Sequence, residues 1–226
     1  MFERWVEKKV LITVRTYPVP SKKQIEVSCT AGITDDGKWI RLYPVPYRFL
    51  NPDKRFSKYQ CIEASVMKSV SDPRPESFKV NPDTIKIIQP AIPTLNKWEM
   101  RKEKVFPLKS HSLCELEALR NLNEYPTLGF IKPKSILSLD IKPECNEWTE
   151  SQLMSLHQYP MFNNVPKIEL EKYPLNLVTH FVVTIPIVIL ISCLVLIGKW
   201  EHHTGLGELN METIGKPNLE KDMIPI

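Results

Sequence analysis

The segment Cys29–Arg48 constrains the fold most strongly, because it predicts a β-hairpin with a defined turn. The turn is Asp35-Asp36-Gly37, in which aspartate tolerates turn geometry and glycine supplies a positive φ without steric cost. Strand-forming residues with basic residues between them follow the turn: Lys38, Trp39, Ile40, Arg41, Leu42, Tyr43, Val45 and Arg48. We therefore expect this hairpin to be the first unit of a small β-barrel.

Proline and glycine content limits the architecture further. The 226 residues include 20 prolines and only 7 glycines. Prolines at this frequency favour short strands, sheet edges and turns over long helices. The sequence therefore predicts a mainly β protein with short helices, built from small Greek-key barrels rather than from a parallel α/β sheet.

Charge and cysteine content fit a cytoplasmic protein that accepts an anionic partner. Lys and Arg total 30 against 26 for Asp and Glu, which gives a formal net charge of +4 without any basic block. The five cysteines are scattered and form no C-x-x-C pair, which indicates reduced thiols rather than a disulfide framework. The first residues lack the apolar core and cleavage site of a signal peptide, so we expect a cytoplasmic location.

Alternation of apolar and polar residues predicts the other strands, and capping boxes predict two helices. Strands are predicted at Lys8–Tyr17, Ile25–Ile33, Lys38–Val45, Lys58–Lys68, Asp83–Ile88, Gly129–Ile131 and Ile136–Ile141. Capping boxes at Ser112–Glu115 and Thr149–Gln152 predict helices that end near Asn121 and His157. The proline-containing segments YPVPSKK and SDPRPESFKV are predicted to be loops.

Aromatic and basic side chains are interleaved early in the chain, as in surfaces that bind single-stranded nucleic acid. They are Arg15, Tyr17, Lys38, Trp39, Arg41, Tyr43, Tyr47 and Arg48. In the second strand of the hairpin, Trp39, Arg41 and Tyr43 share one face. Ile40 and Leu42 share the opposite face, which predicts that this face meets the core. The alternative stays open that the aromatic rings fill a core and the cations only face solvent or block sheet edges.

The segment Asp72-Pro73-Arg74-Pro75-Glu76-Ser77 predicts a rigid loop that displays Arg74. Prolines restrict the residues before them and lower the entropy that the loop loses on folding. Arg74 is therefore a candidate clamp for a phosphate or a carboxylate. The other interpretation is that Arg74 pairs with Asp72 or Glu76 and only sets the shape of the loop. The sequence leaves both interpretations open.

Catalytic and metal-binding motifs are missing from the sequence. It contains no G-x-S-x-G, no Gly-rich phosphate loop and no H-E-x-x-H, and it nominates neither a nucleophile nor a base. The five histidines have no metal-ligand spacing relative to the cysteines, and the adjacent His202 and His203 point apart on a regular element. We therefore predict no catalytic residue, no cofactor and no metal.

Four segments carry a family resemblance: VLITVRTYPVPSKK, VSCTAGI-x-DDG-x-WIRLYPVPYR-x-L, RFSKYQCIEASVMK and SDPRPESF. They resemble the bacterial proteins called dual OB domain-containing proteins, over roughly Lys9 to Tyr173. The resemblance implies two tandem oligonucleotide/oligosaccharide-binding (OB) barrels, the second incomplete, and nucleic-acid binding by analogy of fold. The implied first barrel covers residues 1–95, and residues 96–172 hold a linker helix and the start of the second barrel.

The apolar segment 173–198 departs from this resemblance, because it contains no Asp, Glu, Lys or Arg. Within it, Leu177–Ile197 is long enough to cross the hydrocarbon core of a bilayer, which takes about 20 apolar residues. This interpretation gives a single-pass, tail-anchored protein whose N-terminal domain is cytosolic. Residues 199–226 then form a polar tail.

A shifted reading frame is the rival interpretation of the apolar segment. Codons built from the third base of one residue and the first two bases of the next can encode polar and aromatic sequence over Asn176–Val183, Leu196–Thr204 and Asn210–Lys221. Such a sequence resembles the expected end of the second barrel. Buried core strands are a third interpretation, and the nucleotide sequence of this region would decide between them.

Two functional hypotheses follow from the sequence. The first is a cytosolic module that binds single-stranded nucleic acid through Arg15, Tyr17, Lys38, Trp39, Arg41, Tyr43, Arg48 and Arg74. The second is a tail-anchored adaptor, for which the membrane is a partner only if Leu177–Ile197 is a true anchor. An enzyme or defence-system component whose activity needs a partner is a weaker third option.

Overall fold

A computed structural model of the chain describes residues 4–110, 113–119, 128–131, 134–143, 145, 147–157, 169–172, 175–182 and 191–194. The strands are β1 (Val6–Arg15), β2 (Val19–Ser21), β3 (Ile25–Thr34), β4 (Trp39–Val45), β5 (Cys61–Lys68), β6 (Ser77–Val80), β7 (Lys86–Ile87), β8 (Ser135–Pro143), β9 (Leu175–Val182) and β10 (Ile191–Leu194). The α-helices are α1 (Leu95–Val105), α2 (Leu113–Leu119) and α3 (Glu150–Leu156). Short 3₁₀ helices cover Tyr47–Phe49, Pro52–Lys54, Pro82–Thr84 and Phe106–Leu108.

The first half of the chain forms a closed five-stranded barrel. The strands follow the order β1-β3-β4-β6-β5, and β5 pairs with β1 to close the ring. The pairings are antiparallel except between β4 and β6, which run parallel through Arg41↔Ser77 and Leu42↔Phe78. The short strands β2 and β7 extend β3 and β5. The expectation of a mainly β protein with a small barrel and few short helices is confirmed.

Alternating side chains fill the barrel, as the sequence predicts for its strands. On β4, Ile40 and Leu42 are at most 1 % exposed, and on β5 the same holds for Ile62, Ala64 and Val66. The apolar core comprises Val10, Ile12, Ile40, Leu42, Val45, Leu50, Phe56, Ile62, Ala64, Val66, Val80 and Ile85. Burial of a large aliphatic side chain contributes roughly 1.5–3 kcal/mol, so these residues supply the main stabilisation of the barrel.

Strand β3 contributes no side chain to this apolar core. Gly32 lies opposite Ile12 on β1 and Ile40 on β4, so its α-carbon faces the interior. A β-carbon at Gly32 would lie 2.5 Å from the carbonyl oxygen of Leu11, which is a backbone atom that cannot turn away. Glycine at this position therefore permits the close approach of β1 and β3.

The hairpin turn forms as predicted. Gly37 has a φ of 73°, and the amide of Thr34 donates to the carbonyl of Lys38 across the turn. The hydroxyl of Thr34 donates to the Asp36 carboxylate. Hydrogen bonds from Thr34 and Lys38 lower the pKa of Asp36 to about 2, so the turn keeps this charge at neutral pH.

Four local predictions of secondary structure are wrong. The second half of SDPRPESFKV is β6 and part of YPVPSKK is β2, although both segments were predicted to be loops. The predicted strand Asp83–Ile88 is a 3₁₀ helix followed by the two residues of β7. The predicted strand Gly129–Ile131 holds only an isolated bridge at Phe130, and α1 was not predicted. The short strands and the bridge contain too few residues to show a period in the sequence. Their neighbours in the sheet decide whether they pair.

The second half of the chain contains a three-stranded antiparallel sheet in the order β10-β9-β8. The predicted helix after Thr149 is confirmed as α3, with both bonds of the capping box present. Helix α3 contacts β2 and β3, and the Tyr17 hydroxyl donates to the carbonyl of Glu171 over 2.9 Å. These contacts join the second half of the chain to the barrel.

The described parts of the apolar segment 173–198 are the strands β9 and β10, and its other residues lie outside the described ranges. The predicted polar tail, residues 199–226, lies wholly outside them. Among the helices that the structure describes, none is long and apolar enough to span a membrane.

Replacement of Gly32 by alanine tests the tight contact between β1 and β3. Overpacking in a well-packed sheet costs about 1–3 kcal/mol, and we expect Gly32→Ala to lower the free energy of unfolding by that amount. Urea unfolding of the full chain measures the change, with Ser57→Ala at an exposed position as the control. An unchanged unfolding midpoint would show that the strands do not approach this closely.

Candidate functional site

The outward face of β4 carries the predicted aromatic and basic stripe. Trp39 and Arg41 are half-buried there, and Tyr43 is 39 % exposed. Directly beside them on β3 lie Ile33 and Ala31, which pair with Trp39 and Arg41 and are almost completely buried. The stripe therefore forms an outer surface of the barrel over apolar residues of the neighbouring strand.

Asp72 joins this stripe to the loop between β5 and β6, residues 69–76. Its carboxylate accepts from Arg41 Nη1 at 3.1 Å and from Arg74 Nε and Nη2 at 2.7 and 2.6 Å. The Ser77 hydroxyl donates to the same carboxylate at 2.7 Å and accepts from Arg41 at 3.0 Å. We call Arg41, Asp72, Arg74 and Ser77 the Asp72 network. These bonds hold the pKa of Asp72 well below its usual range, with Arg74 as the largest cause.

The outcome for Arg74 is an ion pair within its own loop. Its guanidinium donates two hydrogen bonds to the Asp72 carboxylate, and its side chain remains 32 % exposed. Of the two interpretations that the sequence left open, the Asp72 pair is present. A guanidinium that is paired and still partly exposed keeps donors available on its solvent side, so the pair alone does not remove Arg74 from a binding surface.

Lys68 fastens the loop independently of Asp72. Its ammonium group donates to the carbonyl oxygens of Arg74, Pro75 and Ser77. Backbone bonds add to this, because the amide of Ser69 donates to Ser77 and the amide of Arg41 donates to Glu76 at 2.7 Å. The loop is therefore fixed against β4 and β5 by main-chain contacts as well as by the network.

Tyr43 provides the most exposed aromatic ring of the stripe. The guanidinium carbon of Arg41 lies 4.6 Å from the centre of that ring, which is within cation–π range. The same guanidinium bonds to Asp72 and Ser77, so its orientation is fixed by three partners. The fixed guanidinium therefore lies over one face of the Tyr43 ring before any ligand binds.

Lys38 and Tyr17 lie apart from the stripe's polar network. Lys38 forms an exposed ion pair with Asp36 at 3.0 Å, at the tip of the hairpin. Tyr17 is 46 % exposed and bonds to Glu171 in the second half of the chain. Neither residue is a member of the Asp72 network.

Arg15 and Arg48 belong to a second group of residues, at one end of the barrel interior. Arg15 stacks on Tyr47, with its guanidinium carbon 3.2 Å from the ring centre, and Arg48 pairs with the buried Glu26 at 3.3 Å. Burial lowers the pKa of Arg15 to about 10. Burial raises the pKa of Glu26, and the charge of Arg48 opposes that rise.

The sequence reasoning missed this polar interior. Arg15 lies opposite Thr30 in the sheet, and Glu26, Ser28 and Thr30 occupy alternate positions of β3. Within the described part of the chain, Arg15 Nη1, Glu26 Oε1, Ser28 Oγ and Thr30 Oγ1 are buried without a hydrogen-bond partner. The signal was the alternation of Glu26, Ser28 and Thr30, which marks a polar face that this barrel turns inward.

The described residues also bear on three other kinds of site: a metal site, a ligand groove and a disulfide. Among the described residues, no group of three or more His, Cys, Asp or Glu side chains is placed to hold a metal ion. An open groove of about 600 Å³ lies along α1 and the 3₁₀ helix after it, and none of the predicted binding residues lines it. Cys29, Cys61 and Cys145 are free thiols.

The buried Glu26 predicts a pH dependence of stability. Because its pKa is raised above 4.5, the folded protein binds this proton more tightly than the unfolded chain. The free energy of unfolding should therefore fall as pH rises from that value through the raised pKa. We expect Glu26→Gln to remove this decline, measured by urea unfolding between pH 4 and 8, roughly the range in which such carboxyls titrate.

The matched control is Glu63→Gln on β5, a residue that lies opposite Lys9 and Lys86 in the sheet. This variant should keep the decline of the wild-type protein. The same decline in Glu26→Gln and in the wild type would contradict the assignment to Glu26.

A comparison with known protein families finds a match in the first half of the chain. Residues 6–107 match a family described as a domain of unknown function (DUF8758). This range contains the barrel and α1. No curated protein and no solved structure matches the chain.

Proposed function

We propose that the barrel binds single-stranded nucleic acid on the surface formed by Trp39, Arg41, Tyr43 and the loop 69–76. The strand order supports this proposal. Counted without β2, the barrel strands follow the order 1-2-3-5-4-1 with the third and fifth parallel, which is the Greek-key order of an OB barrel. OB barrels bind oligonucleotides on the face of their second and third strands and on the adjoining loops. Here those strands are β3 and β4.

The exposed Tyr43 ring, with the fixed guanidinium of Arg41 over it, is the observation that carries the proposal. Bases stack on aromatic rings of this kind with little preference for sequence. Trp39 lies on the same face of β4, two residues before Arg41 and four before Tyr43. Arg41 and Arg74 supply the positive charge for the phosphates, and charge-assisted bonds from guanidinium to phosphate are strong and directional.

The other four predicted binding residues have lesser roles in this proposal. Arg15 and Arg48 support the interior of the barrel, because they are engaged with Tyr47 and Glu26. Lys38 adds an exposed cation at the tip of the hairpin, and Tyr17 adds an exposed aromatic ring after β1. The net charge of +4 fits binding that weakens as salt rises.

The proposal extends to the second half of the chain as the start of a second OB-like barrel. The antiparallel order β10-β9-β8 is compatible with part of such a barrel. A protein of this kind would work in the cytoplasm, where nucleic acid is accessible. The alternative is a membrane-anchored adaptor, which rests on the apolar segment 173–198; residues 183–190 and 195–198 of this segment lie outside the described ranges.

Substitution of Tyr43 tests the proposed stacking surface. Loss of one base stack costs about 1–3 kcal/mol, so Tyr43→Ala should weaken binding of a single-stranded oligonucleotide by about 5- to 150-fold. Tyr43→Phe retains the ring and should bind within about twofold of the wild type. Fluorescence anisotropy at low salt measures the affinities of the full chain for labelled DNA and RNA.

Trp5→Ala is the matched control, because Trp5 is a similarly exposed aromatic residue in front of β1. It should leave the affinity unchanged. Absence of binding to DNA or RNA of any form at low salt would contradict the proposal. Equal losses of affinity in Tyr43→Ala and Trp5→Ala would show that binding does not use the proposed surface.

A further inference from the structure

The Asp72 carboxylate is surrounded by the donors of a phosphate site. Two guanidinium groups, the Ser77 hydroxyl and the backbone amide of Arg74 all donate to its two oxygens, at distances of 2.6 to 3.2 Å. Arginine forks, hydroxyls and backbone amides are the groups with which proteins bind phosphate oxygens. Here one internal carboxylate takes up all of them.

We propose that Asp72 is a resident counter-ion that occupies the place of one backbone phosphate and is displaced when a single strand binds. This inference rests on the proposed function and adds a selection step to it. Arg41, Arg74 and Lys68 carry three positive charges against the two negative charges of Asp72 and Glu76, so their surface stays attractive to an anion. A phosphate must nevertheless compete with a carboxylate that is tethered to the same loop.

Competition of this kind selects for ligands that carry bases. A group on a short flexible linker already competes at about millimolar effective concentration, and Asp72 is held in place by a fixed loop, so a free phosphate meets this competition without any compensating contact. A nucleic-acid strand adds the stacking of a base on Tyr43, which a free phosphate lacks. Because of this counter-ion, a phosphate binds to Arg41 and Arg74 only when its ligand also stacks a base on Tyr43.

The loop 69–76 remains in place when the Asp72 carboxylate is displaced from the two arginines. Lys68 holds the carbonyls of Pro75 and Ser77, and the amides of Ser69 and Arg41 keep their backbone bonds to Ser77 and Glu76. None of these contacts involves the carboxylate of Asp72. Its displacement therefore frees the two guanidinium groups without detaching the loop from the barrel.

The test is neutralisation of the counter-ion with Asp72→Asn in the full chain. The probes are a single-stranded oligonucleotide and inorganic pyrophosphate, which offers phosphate groups without a base. We expect the oligonucleotide to bind about fivefold tighter or better, because one repulsive charge is removed from the phosphate's position. Pyrophosphate should bind measurably only to the variant, because no tethered carboxylate then competes with it for the two guanidinium groups.

Asp53→Asn is the matched control, since it removes the same charge from an exposed position in the 3₁₀ helix Pro52–Lys54, outside the proposed surface. It should bind both probes as the wild type does. Asp72→Ser is a second variant, which removes the charge but keeps a small polar side chain. If both Asp72 variants unfold, the carboxylate is needed for the fold and the inference is overturned.

The outcomes separate this inference from the proposed function. If the wild type binds the oligonucleotide and a folded Asp72→Asn binds it equally or more weakly, the counter-ion role is wrong and the binding function stands. If neither protein binds the oligonucleotide but Asp72→Asn binds pyrophosphate and loses it when Arg41→Gln is added, the counter-ion role stands and nucleic acid is the wrong ligand.

Discussion

The hydrogen bonds of one carboxylate, that of Asp72, organise the surface on which the functional proposal rests. Asp72 takes donors from Arg41 on β4, from Arg74 in its own loop and from Ser77 at the start of β6. A carboxylate with several charge-assisted bonds stays ionised, so this arrangement persists across the physiological pH range. The positions of both arginines, and of the ring beneath Arg41, depend on it.

The same region contains the parallel pairing of the barrel strands. Between β4 and β6 the described pairing consists of Arg41↔Ser77 and Leu42↔Phe78, and parallel pairing is slightly weaker per residue than antiparallel pairing. The backbone of Arg41 bonds to Glu76 while its side chain bonds to Asp72 and Ser77. One residue therefore joins β4 to β6 with its main chain and shapes the outer surface with its side chain. The barrel interior beneath contains an apolar core and the polar face of β3.

Local patterns in the sequence predicted the parts of the fold that depend on near neighbours. The turn at Gly37, the alternation of Trp39 to Tyr43 and the capping box at Thr149 all follow from residues a few positions apart. The four residues of β6 could not be recognised, because their strand character comes from pairing with β4 and β5. The same holds for the bond between Arg41 and Asp72, which are 31 positions apart.

The roles of Arg15 and Arg48 show how alternation misleads at a polar interior. Arginine side chains normally face water, so the sequence groups both residues with the outer stripe. The inward face of β3 instead carries Glu26, Ser28 and Thr30, and this face gives the two arginines partners inside the barrel. Only the three-dimensional pairing of β1 with β3 reveals that arrangement.

Mapping by nuclear magnetic resonance tests the central claim most directly. Titration of ¹⁵N-labelled full-length protein with a short single-stranded oligonucleotide reports which backbone amides meet the ligand. The account predicts that the shifts concentrate on Trp39 to Tyr43 and on residues 69–77, with the Arg74 side-chain signals moving together with them. Shifts that leave these residues unchanged and fall on α1 or on the hairpin tip would contradict it.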